Sequence, residues 1–141
     1  MVNSRKETSL ISLTINGHTV QAPQGATILE AARTIGVDIP AICYHPSLTA
    51  NAVCRLCVVE VVGARTLQPA CMVPVTPDMV VNTETARVNA ARRVILELLA
   101  STVDLHEAPE ILEYVERYGA NVDRFEGGIR RHNSSFRTFL V

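Results

Sequence analysis

Hydrophobic and polar residues alternate over Leu10–Ile15, with Ile11, Leu13 and Ile15 on one face and Ser12 and Thr14 on the other. That two-residue period predicts a half-buried strand. Asn16-Gly17 follows, a strong hairpin signal because both central residues of a type I′ turn need positive φ. Residues 18–22 read as the return strand, ended by Pro23-Gln24-Gly25. The period then changes. Thr27 and Glu30 have capping-box spacing, in which each side chain satisfies a backbone N–H that the first helical turn leaves open. Ile28, Ala31, Ala32 and Ile35 fall at helical spacing behind them, predicting a short helix with one buried stripe. Gly36 is placed to close it in the left-handed conformation.

From Ile39 to Cys57 no period is visible. Residues 57–62 are apolar and β-branched, Gly63-Ala64 breaks the run, and 65–70 can return as its partner. A further short strand is predicted at 79–82. Thr83-Glu84-Thr85 looks like a second helix start, and Val88, Ala91, Ile95, Leu98, Leu99 and Thr102 trace an apolar stripe to about Ser101. Pro109 suits the first turn of a third helix, which should bury Ile111, Leu112, Val115 and Tyr118 and stop at Gly119. Glu110, Glu113 and Glu116 fall on its exposed side and read as a solvated face, with Glu113 and Arg117 spaced for a helical ion pair. Past Asn121 the chain becomes polar and Arg-rich, with Arg124, Arg130, Arg131 and Arg137. There is no internal repeat.

Composition narrows the function. The 141 residues are 48% hydrophobic, enough for a core without disulfide staples. A net charge of −1 and 4% aromatic residues argue against a nucleic-acid binder. No apolar run approaches the roughly 18 residues that cross a bilayer. Residues 1–7 are polar and lead into no apolar segment, so an export signal is not expected. Cytoplasmic placement, or attachment to the inner membrane face through a complex, is the expectation. In that compartment paired disulfides are disfavoured, and cysteines point to metal or redox chemistry.

The four cysteines are Cys43, Cys54, Cys57 and Cys71, a C-x10-C-x2-C-x13-C pattern that falls outside every predicted helix. Scattered core thiols would sit singly in apolar stripes, whereas these are concentrated in irregular segments. Two metal readings remain. Structural zinc usually takes two C-x2-4-C knuckles, and only Cys54-Arg55-Leu56-Cys57 is one. A [2Fe–2S] cluster shares four thiolates between two irons, and its plant-type spacing is C-x4-C-x2-C…C. The x2 pair and distant fourth cysteine agree with that spacing; the first gap of ten residues does not.

The segment Ile39-Pro-Ala-Ile-Cys43-Tyr44-His45-Pro46, the segment Cys54-Arg55-Leu56-Cys57-Val58-Val59-Glu60-Val61 and Gln68-Pro69-Ala70-Cys71 together resemble one family. It is the N-terminal [2Fe–2S] domain of the large iron–sulfur subunit of NADH–quinone oxidoreductase. The same module opens NAD-linked formate dehydrogenases, the diaphorase small subunit of bidirectional hydrogenases, and iron-only hydrogenases. The resemblance spans roughly residues 10–125 and implies an α+β, β-grasp (ferredoxin-like) domain with a C-terminal helical extension. It implies one [2Fe–2S] cluster, with Cys43 and Cys54 on one iron and Cys57 and Cys71 on the other. It also shows a departure. In those subunits the helix matching 87–101 is followed by a His-x3-Cys-x2-Cys-x5-Cys site for a [4Fe–4S] cluster. Here His106 stands in that region and no cysteine follows Cys71. The resemblance therefore reads as the front module alone, a short subunit or a truncated relative. The Arg124-Phe125-Glu126-Gly127-Gly128 stretch resembles the connector that leads onward.

The expected organisation is a cluster domain at 9–83, a helical extension at 84–121 and an Arg-rich tail at 122–141. His45 is read as a loop residue, because four thiolates already complete a ligand set, and His18, His106 and His132 as solvated. Arg55, between two cysteines, either acts on the cluster or faces solvent or a partner. No nucleophile–base pair, phosphate loop or acid pair stands out. The expected role is one-electron transfer as a component of an oxidoreductase rather than as a self-sufficient enzyme. By resemblance the potential lies near the plant-type value of roughly −400 mV. The expected partners are larger dehydrogenase or hydrogenase subunits carrying flavin and NAD sites, or molybdenum or nickel–iron catalytic centres, with no nucleic acid and no direct membrane insertion. The alternatives are a zinc-stabilised binding module and a structural assembly subunit of such a complex.

Overall fold

The computed structural model describes residues 9–125. The polar start at 1–7, the Glu126-Gly127-Gly128 stretch, and the tail residues Arg130, Arg131, His132 and Arg137 lie outside the described residues. The chain divides into two compact units, Met1–Val88 and Asn89–Val141.

In the first unit the predicted hairpin forms as read. β1 (Leu10–Ile15) pairs antiparallel with β2 (His18–Pro23), Ile15 opposite His18. Asn16 and Gly17 take φ of 50° and 82°, the left-handed pair that a type I′ turn requires. The Asn16 side chain also donates to Thr83 Oγ1 at 2.7 Å and accepts the Thr83 N–H at 2.9 Å. The turn is thereby stitched to a residue 67 positions later.

α1 (Ile28–Thr34) starts at a complete Thr27/Glu30 capping box. Gly36 has φ 74° just beyond its end. Its buried set is Ile28, Leu29, Ala31 and Ala32. The predicted stripe is corrected at its end: Ile35 is exposed, because the helix closes before it and Ile35 serves as the C-cap. β3 (Val58–Val61), β4 (Gln68–Pro69) and β5 (Val80–Asn82) complete one mixed sheet in the order β2-β1-β5-β3-β4. β5 lies parallel to β1 and antiparallel to β3. A helix packed on a mixed sheet with parallel central strands is the α+β, β-grasp arrangement. Leu13, Ile15, Val20, Ala22, Val59 and Val81 join the buried α1 residues in one core, which also takes in Cys57 and Cys71. The predicted return strand at 65–70 shrinks to two paired residues.

α2 (Ala86–Thr102) begins where Thr85 Oγ1 accepts the Val88 N–H at 3.2 Å. Its buried residues include Val88, Arg92, Leu96 and Ala100. The predicted stripe is thus rotated: Leu98 is 49% exposed, whereas Arg92 is fully buried. A purely apolar stripe cannot include an arginine, but this one bonds the Tyr118 hydroxyl at 2.8 Å and lies 5.3 Å from its ring centre. α3 (Pro109–Tyr118) ends at Gly119 with φ 61°, as predicted, although Leu112 is 40% exposed and Tyr118 is its buried residue. Within the second unit Glu97 also accepts the Asn121 N–H at 3.1 Å and pairs with Arg124 at 2.6 Å. Among the described residues no helix is long and apolar enough to cross a membrane.

Candidate metal centre

All four cysteines lie outside helices and strands, in turns that the sheet and α1 hold in place. Cys57 immediately precedes β3, and Cys71 follows β4. The pairing of these strands continues into the Ala70 N–H, which donates to the Cys57 carbonyl at 3.1 Å. The N–H groups of Ile28 and Leu29, in the first turn of α1, donate to the carbonyls of Val73 and Ala70 at 3.0 and 2.9 Å. A helix start leaves such donors without intrahelical partners, and here they fasten the turn that carries Cys71. The exposed edge of α1 holds the other end of the site. Arg33 lies 4.9 Å from the ring centre of Tyr44, the residue after Cys43, and Glu30 Oε1 accepts the Tyr44 hydroxyl at 3.3 Å.

Cys57 and Cys71 are buried, whereas Cys43 and Cys54 are half-buried. The thiols associate in two pairs. Cys43 and Cys54 lie close enough to shift each other, Cys57 does the same to Cys71, and all four cysteines are free. The pairs in turn feel each other, since Cys43 and Cys54 both act electrostatically on Cys71. Burial pushes the Cys71 thiol up to about 12, with the neighbouring sulfurs adding to the shift. Cys54 is also raised, first by burial, against a lowering bond from the Leu56 N–H. For Cys43 burial is outweighed by donors from Cys54 and by the Val53 N–H, and its thiol falls below the ordinary range. Among the described residues no group of three or more His, Cys, Asp or Glu side chains converges on a single ion.

Four sulfurs clustered two by two would repel one another strongly once ionised, and bound metal removes that penalty by replacing the protons. Backbone N–H groups aimed at thiolates offset the remaining negative charge. The arrangement therefore fits a two-metal, four-thiolate group in its donor chemistry. Two residues of the loop, Ala52 and Arg55, hold φ of 51° and 61° without being glycine. Such backbone is uncommon and concentrates at functional sites. No sequence signal points to it, because neither alanine nor arginine marks a left-handed position.

The three described histidines fall as expected. His45 is exposed, with its Nδ1 accepting the Ser47 N–H at 3.2 Å, and His18 and His106 are exposed. In the second unit, where the resemblance puts a four-iron site, an apolar cavity of about 450 Å³ is lined by Ala100, Val103, Leu105 and Leu112, with His106 and Asp104 at it.

Residues 8–86 match the family described as the 2Fe-2S iron-sulfur cluster binding domain. Among curated relatives, the NADP-reducing hydrogenase subunit HndD of Solidesulfovibrio fructosivorans is 42% identical over 136 residues, covering 88% of this chain and 23% of that protein. A subunit of the NADH-quinone oxidoreductase of Rhizobium meliloti is 35% identical over 82% of this chain and 14% of its own length. The mitochondrial 78 kDa subunit of NADH-ubiquinone oxidoreductase from Candida albicans is 33% identical over 86% of this chain and 18% of its own. The chain thus spans less than a quarter of these relatives. A solved NAD+-reducing [NiFe]-hydrogenase in the H2-reduced state superposes with TM-score 0.70 at 29% identity, over 82% of this chain and 51% of that one.

Proposed function

The chain belongs to the 2Fe-2S iron-sulfur cluster binding domain family, and from that premise we propose that Cys43, Cys54, Cys57 and Cys71 are the ligands of its cluster. The cofactor is one [2Fe–2S] cluster of the kind carried by subunits of NADH dehydrogenase and hydrogenase-type complexes. The observation that carries the ligand assignment is the pairing of thiols, Cys43 with Cys54 and Cys57 with Cys71. It supports one iron on each pair. Bound there, the cluster supplies a reversible one-electron couple. The chain's own contributions are ligation, exclusion of water by Leu56, Ala70 and the buried cysteines, and N–H donors that favour the thiolate state.

The activity that follows is electron transfer as one link of a larger NAD(P)H-linked, formate-linked or hydrogenase-type complex, with flavin or metal catalytic centres on other subunits. The organisation we infer is a cluster domain at 9–83 and a helical extension at 84–121 that holds no second cluster, with the tail at 122–141. The matched family binds a 2Fe-2S cluster, which decides between the iron–sulfur and zinc readings. The test is metal and sulfide analysis of anaerobically purified protein. Iron and acid-labile sulfide at about two each per chain, with visible bands that bleach on dithionite, are expected. Cys57→Ser should lose the cluster, whereas His106→Ala should keep it. Zinc without sulfide, or full iron in all four single Cys→Ser variants, would overturn the assignment.

A further inference from the structure

The surface beside the cysteine-bearing turns has a composition of its own. Leu48 is 70% exposed, Val53 74% and Met72 47%. Val53 and Arg55 are the chain neighbours of Cys54, their Cα atoms about 3.8 Å from its own, and Met72 follows Cys71. Leu48 closes a turn on the carbonyl of His45, two residues past Cys43, at 3.0 Å. Val53 donates its N–H to Asn51 Oδ1 at 3.4 Å, and its backbone lies close enough to Cys43 to lower that thiol, so the two segments meet there. Neither 39–59 nor 61–77 contains an acidic residue. Two acids of the same unit are engaged elsewhere: Glu30 closes the capping box and accepts the Tyr44 hydroxyl, and Glu60 lies 3.7 Å from Arg87. Arg55 is exposed and makes no side-chain hydrogen bond or ion pair with any described residue.

We propose that this rim, Leu48, Val53, Arg55 and Met72, is the face through which the electron leaves or enters, and that it docks a partner protein presenting an apolar patch with a carboxylate for Arg55. The proposal rests on the cluster assignment above. Three exposed apolar side chains beside a redox site are the makings of a docking surface that excludes water. A lone cation among them, held in a strained left-handed backbone, supplies register and selects the sign of charge opposite it. While the face is open to water Arg55 is screened from the cluster, so its charge acts chiefly on whatever approaches.

Small oxidants of opposite charge test the face without the native partner. The dithionite-reduced protein is mixed in a stopped-flow instrument with Co(III)–EDTA, an anion, or hexaamminecobalt(III), a cation. Each takes one electron from the cluster and becomes Co(II). Arg55→Gln and Val53→Glu each lower the charge by one unit beside Cys54. Thr19→Glu makes the same change on β2, three strands from β3 in the sheet order, on the order of 14 Å across the sheet. Ionic strength is set at about 0.1 M, where charges beyond roughly 10 Å are screened. The anion-to-cation rate ratio should fall about threefold to fivefold in both rim variants and stay near the wild-type ratio in Thr19→Glu. The midpoint potential of Arg55→Gln, titrated separately, should hardly move. An unchanged ratio in the rim variants, an equal fall in Thr19→Glu, or both rates moving together with the potential would overturn the docking face. A wild-type protein without a dithionite-bleachable visible spectrum would instead overturn the cluster assignment, so the two failures are distinguishable.

Discussion

The short helix α1 holds both ends of the site, so weakening its start should loosen the cluster. Thr27→Ala is the smallest perturbation. Thr27 Oγ1 accepts the Glu30 N–H at 3.2 Å and donates to Glu30 Oε2 at 3.1 Å. Losing such a cap costs about 1 kcal/mol. With a urea slope of about 1–3 kcal/mol per molar, the midpoint should fall by roughly 0.3–1 M. The Ile28 and Leu29 N–H groups fasten the Cys71 turn, so the opening that frees Cys71 should become easier by up to the same amount. At about 1.4 kcal/mol per factor of ten, release of iron to a chelator should speed up about fivefold. Thr27→Ser keeps the hydroxyl and should behave as wild type in both measurements. A lowered urea midpoint with an unchanged release rate would refute the claim that α1 holds the ligand turn. Equal effects of Ala and Ser would show that capping is not the cause.

Three further outcomes are expected. Asn16→Ala removes two hydrogen bonds to Thr83 and puts alanine at φ 50°, which together should cost about 2 kcal/mol in chemical denaturation; a cost below about 0.5 kcal/mol would contradict the stitching role. A double-mutant cycle between Arg92→Met and Tyr118→Phe should give a coupling of about 1.5–3 kcal/mol, because a fully buried guanidinium bonds that hydroxyl, whereas additivity would show the contact is idle. The Glu97 carboxyl is held below the usual carboxylate range by the Asn121 N–H, and further by Arg124. Its contribution is present above the unfolded value of about 4.3 and is lost as pH falls through the depressed folded value. The stability gap between wild type and Glu97→Gln, followed in urea from pH 6 downwards, should therefore shrink with acid; a widening gap would contradict the sign.

The hairpin, α1 and the bounds of α3 were legible because their signals are local. Asn16-Gly17, the Thr27/Glu30 box and Gly119 each act within one turn of backbone. Burial along α2 was not legible, since the place of Arg92 depends on a tyrosine 26 residues away. The same limit applies to the short β4, where pairing is set by β3 and by the turn carrying Cys71. At the site the donor atoms could be read from the chain, but spacing did not group them; the grouping came with the family resemblance, and the fold brings Cys57 near Cys71 across 14 positions in keeping with it. The left-handed Ala52 and Arg55 and the N–H donors around Cys43 carry no side-chain signature at all.

The central claim is one [2Fe–2S] cluster held by these four thiolates. Electron paramagnetic resonance of the dithionite-reduced protein, with spin quantitation, tests it most directly. One spin-½ signal from a mixed-valent iron pair is expected, integrating to about one spin per chain and missing in Cys43→Ser, Cys54→Ser, Cys57→Ser or Cys71→Ser, or altered there by an oxygen ligand. No signal in the reduced wild-type protein, or one indifferent to all four substitutions, would contradict it.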